Sequence, residues 1–107
     1  MLFLTYWKLN ENMSVEERQE VAMTLTGEQV FPPEDVELIR WDGTPDGWGI
    51  AIMEADNFAA VNNALNMWRL AAGDTQFFEM TKTAPAAPAT DIIAQTAVML
   101  EELPGDD

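Results

Sequence analysis

The chain is expected to be one α+β domain, a four-stranded antiparallel sheet covered on one face by two helices and followed by a third. Three observations predict this. The stretch Leu2 to Asn10 is apolar in both alternating positions and uncharged before Lys8, as a strand in the middle of a sheet reads. Helix-period segments alternate with strand-like ones in the order strand, helix, strand, strand, helix, strand, helix. Finally, 107 residues with 48% hydrophobic content should bury roughly 60 to 70% of the surface exposed by the unfolded chain, enough for one modest core.

The first helix begins at Ser14, which with Glu17 forms a capping box that places acid in the favourable first turn. Val15, Val21, Ala22 and Leu25 make a narrow apolar stripe, and Gly27 is the expected stop. Phe31-Pro32-Pro33 excludes helix and central-strand geometry, and an extended pattern resumes from Val36 to Trp41. The turn-rich segment Asp42 to Gly47 then leads into a strand from Trp48 to Ala55, making a hairpin. Asp42, Thr44, Asp46 and Gly47 also fit the opening of a calcium loop. Met53 stands where that loop needs its bidentate Glu, and the flanking elements are strands, so the turn reading is preferred.

Asp56 or Asn57 caps a second helix in which Phe58, Val61, Leu65 and Trp68 recur at spacings of three and four, ending at Gly73. Asn62, Asn63 and Asn66 fall on its wet side. Asp74 to Thr83 is expected to be the fourth strand, with Phe77 and Phe78 supplying bulk to both faces. The Pro-Ala segment from Ala84 to Ala89 is a semi-stiff connector. A third helix capped by Thr90 carries Ile92, Ile93, Ala97, Leu100 and Leu103, and ends at Pro104-Gly105. Residues 1–83 thus form the domain. Residues 84–107 add a linker and a helix expected to pack on the same domain or on a dimer partner.

This order is the ferredoxin-like βαββαβ arrangement with one appended helix. Two helices cover one sheet face, yet the strands are apolar in both alternations. An open apolar face of that size is unusual on a soluble monomer, so a homodimer is expected, its sheets packing face to face into an α/β barrel.

Charge and composition narrow the chemistry. Nineteen acidic residues face five basic ones, Lys8, Arg18, Arg40, Arg69 and Lys82, for a net charge of −14. Scattered cations do not form the basic patch that nucleic acid or an anionic membrane requires, so neither is expected as a partner. The acidity reads first as a solvated surface and second as one that docks a basic protein. Without Cys or His there is no thiolate and no imidazole for nucleophilic, acid–base or metal-binding roles, and no cofactor or metal is expected. The first residues lack signal-peptide features and the apolar run is too short to span a bilayer, which predicts a cytoplasmic protein.

Thr5-Tyr6-Trp7, Arg40-Trp41, the run Gly49 to Asp56 and Met67-Trp68 resemble a family of small bacterial domains of unknown function over about residues 1–82. That family is similar to the dimeric α/β-barrel proteins, which include antibiotic-biosynthesis monooxygenases and stress-responsive barrel proteins. The resemblance implies the fold and leaves activity open. A His often follows the Arg-Trp pair in the family; here Asp42 stands there, which removes imidazole-dependent chemistry.

The barrel interior is then the expected pocket. Pairing Trp41 with Trp48 in the hairpin places Trp48, Ile50, Ile52 and Glu54 on the interior face, and leaves Gly49, Ala51 and Ala55 to let helices approach. Thr5 and Trp7 from strand one and Glu79 from strand four complete the expected lining. Arg40 is placed to hold an anionic ligand or to neutralise Glu54 or Glu79. The leading functional reading is therefore binding of a small apolar or aromatic molecule. One alternative is an acidic, non-catalytic interaction module; another, implied by the resemblance alone, is a cofactorless monooxygenase or isomerase, since monooxygenases of that superfamily set Trp, Asn and Arg near the substrate and Trp7, Asn10 and Arg40 are present here. No catalytic residue is assigned.

Overall fold

A computed structural model describes residues 1–105. The elements are β1 (Leu2–Leu9), α1 (Val15–Gly27), β2 (Val36–Gly43), β3 (Trp48–Ala55), α2 (Phe58–Ala71), β4 (Phe78–Pro85) and α3 (Ala89–Glu102). The four strands form one sheet in the order β2-β3-β1-β4, every neighbouring pair antiparallel. This is the ferredoxin-like arrangement with an additional C-terminal helix, and β1 is a central strand.

Pleating sorts the residues of β1 and β3 by face, since directly opposed residues share one. Phe3 opposes Met53, Thr5 opposes Ala51 and Trp7 opposes Gly49, and all six are buried. Phe3, Trp7, Ala51 and Met53 join Val61, Leu65 and Trp68 of α2 and Val21 and Leu25 of α1 in the core. Each fully buried large side chain among them contributes about 1.5–3 kcal/mol. The alternate residues Leu4, Ile50 and Trp48 face away from the helices and are 38–39% exposed. The sheet thus has one covered and one open face, and the open one is largely apolar.

Local chemistry explains most of the boundaries. At α1 the Ser14 hydroxyl accepts from the Glu17 amide at 3.1 Å while the Glu17 carboxylate accepts from the Ser14 amide at 3.4 Å, the expected capping box. Asn57 caps α2 through the Ala60 amide. Gly73, at φ 68°, takes the left-handed position after α2.

Several expectations are corrected. The left-handed residue after α1 is Gln29, at φ 57°, and not Gly27, which remains helical. Val15 is 76% exposed, so the buried stripe of α1 comes down to Val21 and Leu25 with Ala22 partly covered. Strand β4 starts at Phe78 and runs to Pro85, because Phe77 belongs to the preceding loop; both phenylalanines turn into the core and pack edge to face. Pro88, not Thr90, stands at the N-cap of α3 and supplies no side-chain bond.

The hairpin register also differs. Trp41 opposes Ala51, and Gly43 opposes Gly49, because β2 continues through Asp42-Gly43 before a short loop closed by the Thr44 amide and hydroxyl on the Trp48 carbonyl. Ile39 is an extra residue at a bulge between Leu38 and Arg40. Trp41 and Trp48 therefore lie on opposite faces of the sheet. Nor is the space above Gly49 left for a helix; the Trp7 indole fills it.

Candidate functional site

The widest depressions, about 630 Å³ beside α1 and about 360 Å³ beside α3, are each lined by a single helix and are open flanks rather than sites. Two smaller cavities, about 230 and 250 Å³, lie where α1, α2 and the sheet converge, and share Trp41 and Trp68 as a common wall. The first is lined by Trp7, Leu9, Val15, Arg18, Gln19, Ala22, Trp41, Trp68 and Phe77. The second adds Thr26, Phe31, Pro32 and Leu38.

Different elements deliver these rings to one place. Trp7 comes from β1, Trp41 from β2, Trp68 from the last turn of α2, and Phe31 and Phe77 from the loops before β2 and β4. Trp41 contacts Trp7 at 5.7 Å between ring centroids and Trp68 at 5.3 Å, while Phe31 meets both Trp41 and Trp68 edge to face. Phe77 extends the cluster from Trp68 at 5.4 Å. Tilted and edge-to-face aromatic pairs at these distances are favourable beyond their area burial, which holds the rings of the wall together.

Arg18 brings the only charge to this lining. Its guanidinium Nη2 donates to the Asn10 carbonyl at 2.8 Å. Asn10 in turn is anchored to the loop before β4, its amide donating to the Phe77 carbonyl and its side chain to the Gln76 carbonyl. Among the described residues no carboxylate pairs with Arg18, although the chain has 19 of them.

Three buried side-chain donors in the described residues lack a hydrogen-bond partner: Trp7 Nε1, Trp68 Nε1 and Arg18 Nε. All three belong to residues lining the same cavity. Each such donor left unsatisfied costs about 1–3 kcal/mol. Carboxylates, imidazoles, thiols and amines are absent from this lining, and a guanidinium stays protonated, so the cavity has no general acid or base of its own. Its chemistry is that of recognition.

The residues expected from the sequence do not form one group. Thr5 and Trp7 sit on the helix-covered face and so cannot share a space with Trp48 and Glu54, which look from the open face. Thr5 is fully buried and its hydroxyl bonds that of Thr83 at 2.8 Å, a structural role within the sheet. Trp48 packs near Tyr6 at 6.1 Å, and Glu54 accepts a hydrogen bond from the Met1 amino group at 2.7 Å. Arg40, opposite Ile52 on the open face, pairs with Asp42 at 2.6 Å instead of Glu54 or Glu79. Glu79 is the extra residue at a bulge in β4 and pairs with Lys8 at 3.2 Å. Of the six, only Trp7 lines the aromatic cleft.

Arg18, Trp41, Trp68 and Phe77 are the charged and aromatic residues lining the first cavity that sequence reasoning missed. A signal for Arg18 exists: at positions 15, 18, 22 and 25 it falls within the apolar stripe of α1, where a cation is out of place.

The family model for a domain of unknown function, DUF3303, matches residues 1–92. The chain belongs to the DUF3303 family. No curated protein matches it. Within this DUF3303 domain the match spans all four strands, α1 and α2, and hence the whole aromatic cleft; it reaches into α3 only as far as its first turn. No helix among the described residues is long and apolar enough to cross a membrane, and no group of three or more acidic residues among them could hold a metal ion.

Proposed function

We propose that this DUF3303 domain binds a small apolar or aromatic molecule, and that the binding site is the cleft under α1 instead of the space between two sheets. One observation carries this reading: all three unpartnered buried side-chain donors of the described residues belong to residues that line the aromatic cleft. A cavity walled by rings with a few polar groups at fixed positions is the usual make-up of a small-molecule site. Each chamber lies below the roughly 300–1,000 Å³ of drug-sized pockets, so the reading favours molecules of one or two rings. A thermal-shift screen with one- and two-ring aromatics and quinones, read in parallel by tryptophan fluorescence, tests it. Binding should raise the unfolding midpoint and quench the Trp41–Trp68 cluster. If no compound does either at millimolar concentration, the cleft is a packing defect and the reading fails.

We also infer that the domain works as a homodimer. The open face exposes Leu4, Ile39, Trp48, Ile50 and Met80, and α3 exposes Ile92, Ile93, Val98, Met99 and Leu100, with no residue of that helix buried. A 14-residue helix has little stability in water without something to pack on. Only residues 86–88 connect it to β4, and the Ala86 amide is tied to the Leu2 carbonyl at 2.8 Å, so α3 is carried past the end of its own sheet. The result is a long axis of 63 Å and a radius of gyration of 17.8 Å, where a compact chain of this length has about 13 Å.

A second copy of the chain supplies both missing partners at once. Its open face meets the first open face, and each α3 lies on the other copy, a reciprocal contact that closes on itself. Covering these side chains would bury on the order of 1,000 Å² per copy, within the range of specific interfaces. Light scattering at micromolar concentration should give twice the chain mass; a monomer there refutes the dimer and leaves the cleft reading intact.

A further inference from the structure

We infer that the ligand of the aromatic cleft is an anion, a planar aromatic carrying a carboxylate or an ionised phenol, with Arg18 as the residue that selects for its charge. The inference rests on the cleft being a ligand site and adds the chemical class. Its starting point is a mismatch of charge. In a chain with 19 acidic residues, Lys8 pairs with Glu79 and Glu11, and Arg40 pairs with Asp42. Arg69 is satisfied by Asn66, Thr81 and the ring of Phe78. Arg18 has a single backbone carbonyl as partner and a buried Nε with none.

The guanidinium is a fork of five donors suited to a carboxylate, and it cannot shed its charge. An anion in the cavity would give it the counter-charge that the chain withholds. The other two unpartnered donors, the indole N–H groups of Trp7 and Trp68, can donate only to a ligand that has lone pairs, and both rings are at least nine-tenths buried. A purely hydrocarbon ligand would leave all three donors unsatisfied. A cationic ligand would add repulsion from Arg18 and offer no acceptor. The aromatic wall of Trp41, Trp68 and Phe77 supplies the stacking surface for the planar body.

The three donor atoms are closed to water as the cleft stands, so a ligand in the cleft reaches them only if its walls part. Helix α1 is the wall suited to this. It buries only Val21 and Leu25, and its first turn, which carries Arg18, has Val15 exposed.

The test uses three probes of one shape: naphthalene, 2-naphthamide and 2-naphthoate, titrated by tryptophan fluorescence and calorimetry into the full chain and into Arg18→Met and Trp68→Phe variants, each first checked for an unchanged circular dichroism spectrum and unfolding midpoint. The wild type should bind 2-naphthoate about tenfold or more tightly than 2-naphthamide, as a charge-assisted hydrogen bond predicts, with naphthalene weakest. Arg18→Met should bring the carboxylate and amide to near equality while keeping naphthalene affinity. Trp68→Phe, which removes an indole donor and part of the stacking wall, should weaken all three probes, the two acceptor-bearing ones most. Equal binding of naphthoate and naphthamide by the wild type, or a preference that survives in Arg18→Met, overturns the anion inference alone. Failure of all three probes to bind overturns the cleft reading with it.

Discussion

The Trp7 indole lies across Gly49, its cross-strand partner, and occupies the space that a side chain at residue 49 would need. A Cβ there would come to 2.5 Å from Trp7 Cζ2 and would collide with the backbone carbonyl of Asp42. Gly43, opposite Gly49 on β2, leaves a milder 3.4 Å from the same ring. The two glycines form a slot, and the slot positions the first aromatic wall of the cleft.

Gly49→Ala is therefore expected to be strongly destabilising, at or above the upper end of the roughly 1–3 kcal/mol typical of overpacking, because backbone as well as side chain must shift. Gly43→Ala should cost about 1 kcal/mol or less, since only the edge of a ring must yield. Urea unfolding followed by tryptophan fluorescence measures both. Similar costs for the two would mean that the indole does not sit over Gly49.

Thr5 and Thr83 make the second prediction. Their hydroxyls bond to each other at 2.8 Å, but Thr5 is completely buried and Thr83 only partly so. Removing the outer partner by Thr83→Val strands a buried hydroxyl, at about 1–3 kcal/mol, whereas Thr5→Val leaves a hydroxyl that water can reach, at about 1 kcal/mol or less. The double variant should cost less than the sum of the singles. Additive, equal effects in denaturant titrations would contradict this geometry.

These two cases show where the sequence was legible. The uncharged apolar run at the start of Leu2 to Leu9, the Ser14–Glu17 capping box and the spacing of Val61, Leu65 and Trp68 are local patterns, and they carried the order of the elements and the ferredoxin-like fold. The candidate site depends instead on register. A bulge at Ile39 and two further residues of pairing through Gly43 moved Trp41 to the helix side, away from the face of Trp48, and no local pattern specifies a bulge. Thr5 and Trp7 were misplaced for a related reason: both alternations of β1 are apolar, so hydrophobicity alone does not say which faces the helices. Arg18 was readable as a cation within an apolar stripe. Its unpaired state was not, because that depends on which carboxylates the tertiary fold brings near.

Lys8 provides a pH dependence. The hydrogen bond and attraction from Glu79, with attraction from Glu11, raise its ammonium above the ordinary lysine pKa, against a small opposing effect of desolvation. A raised pKa in the folded state adds stability that is fully present below the unfolded-state value and is lost as pH rises through the folded-state value. The contribution thus holds through neutrality and fades only on the alkaline side, above about 10.4. Comparing urea midpoints from pH 8 to pH 11, the wild type should lose more stability than Glu79→Gln over the alkaline limb. Parallel curves would show that the Lys8–Glu79 pair does not form in solution.

Helix α3 separates the stability of the domain from its association. Ile93 and Leu100 are 66% and 65% exposed on a helix with no buried residue, so within one chain their replacement removes no packing. Substitutions at such positions usually change stability by no more than about 0.5 kcal/mol. In the dimer inferred above, the same side chains are covered by the second copy, and Ile93→Asp with Leu100→Asp would bury two charges without partners. The double variant should therefore sediment as a monomer at concentrations where the wild type is dimeric. Its unfolding midpoint should also become independent of protein concentration, whereas that of the wild type rises with concentration by mass action. A variant that remains dimeric would remove α3 from the interface and leave the open face of the sheet to carry the association by itself; a variant that unfolds at every concentration would instead show that α3 packs on its own chain.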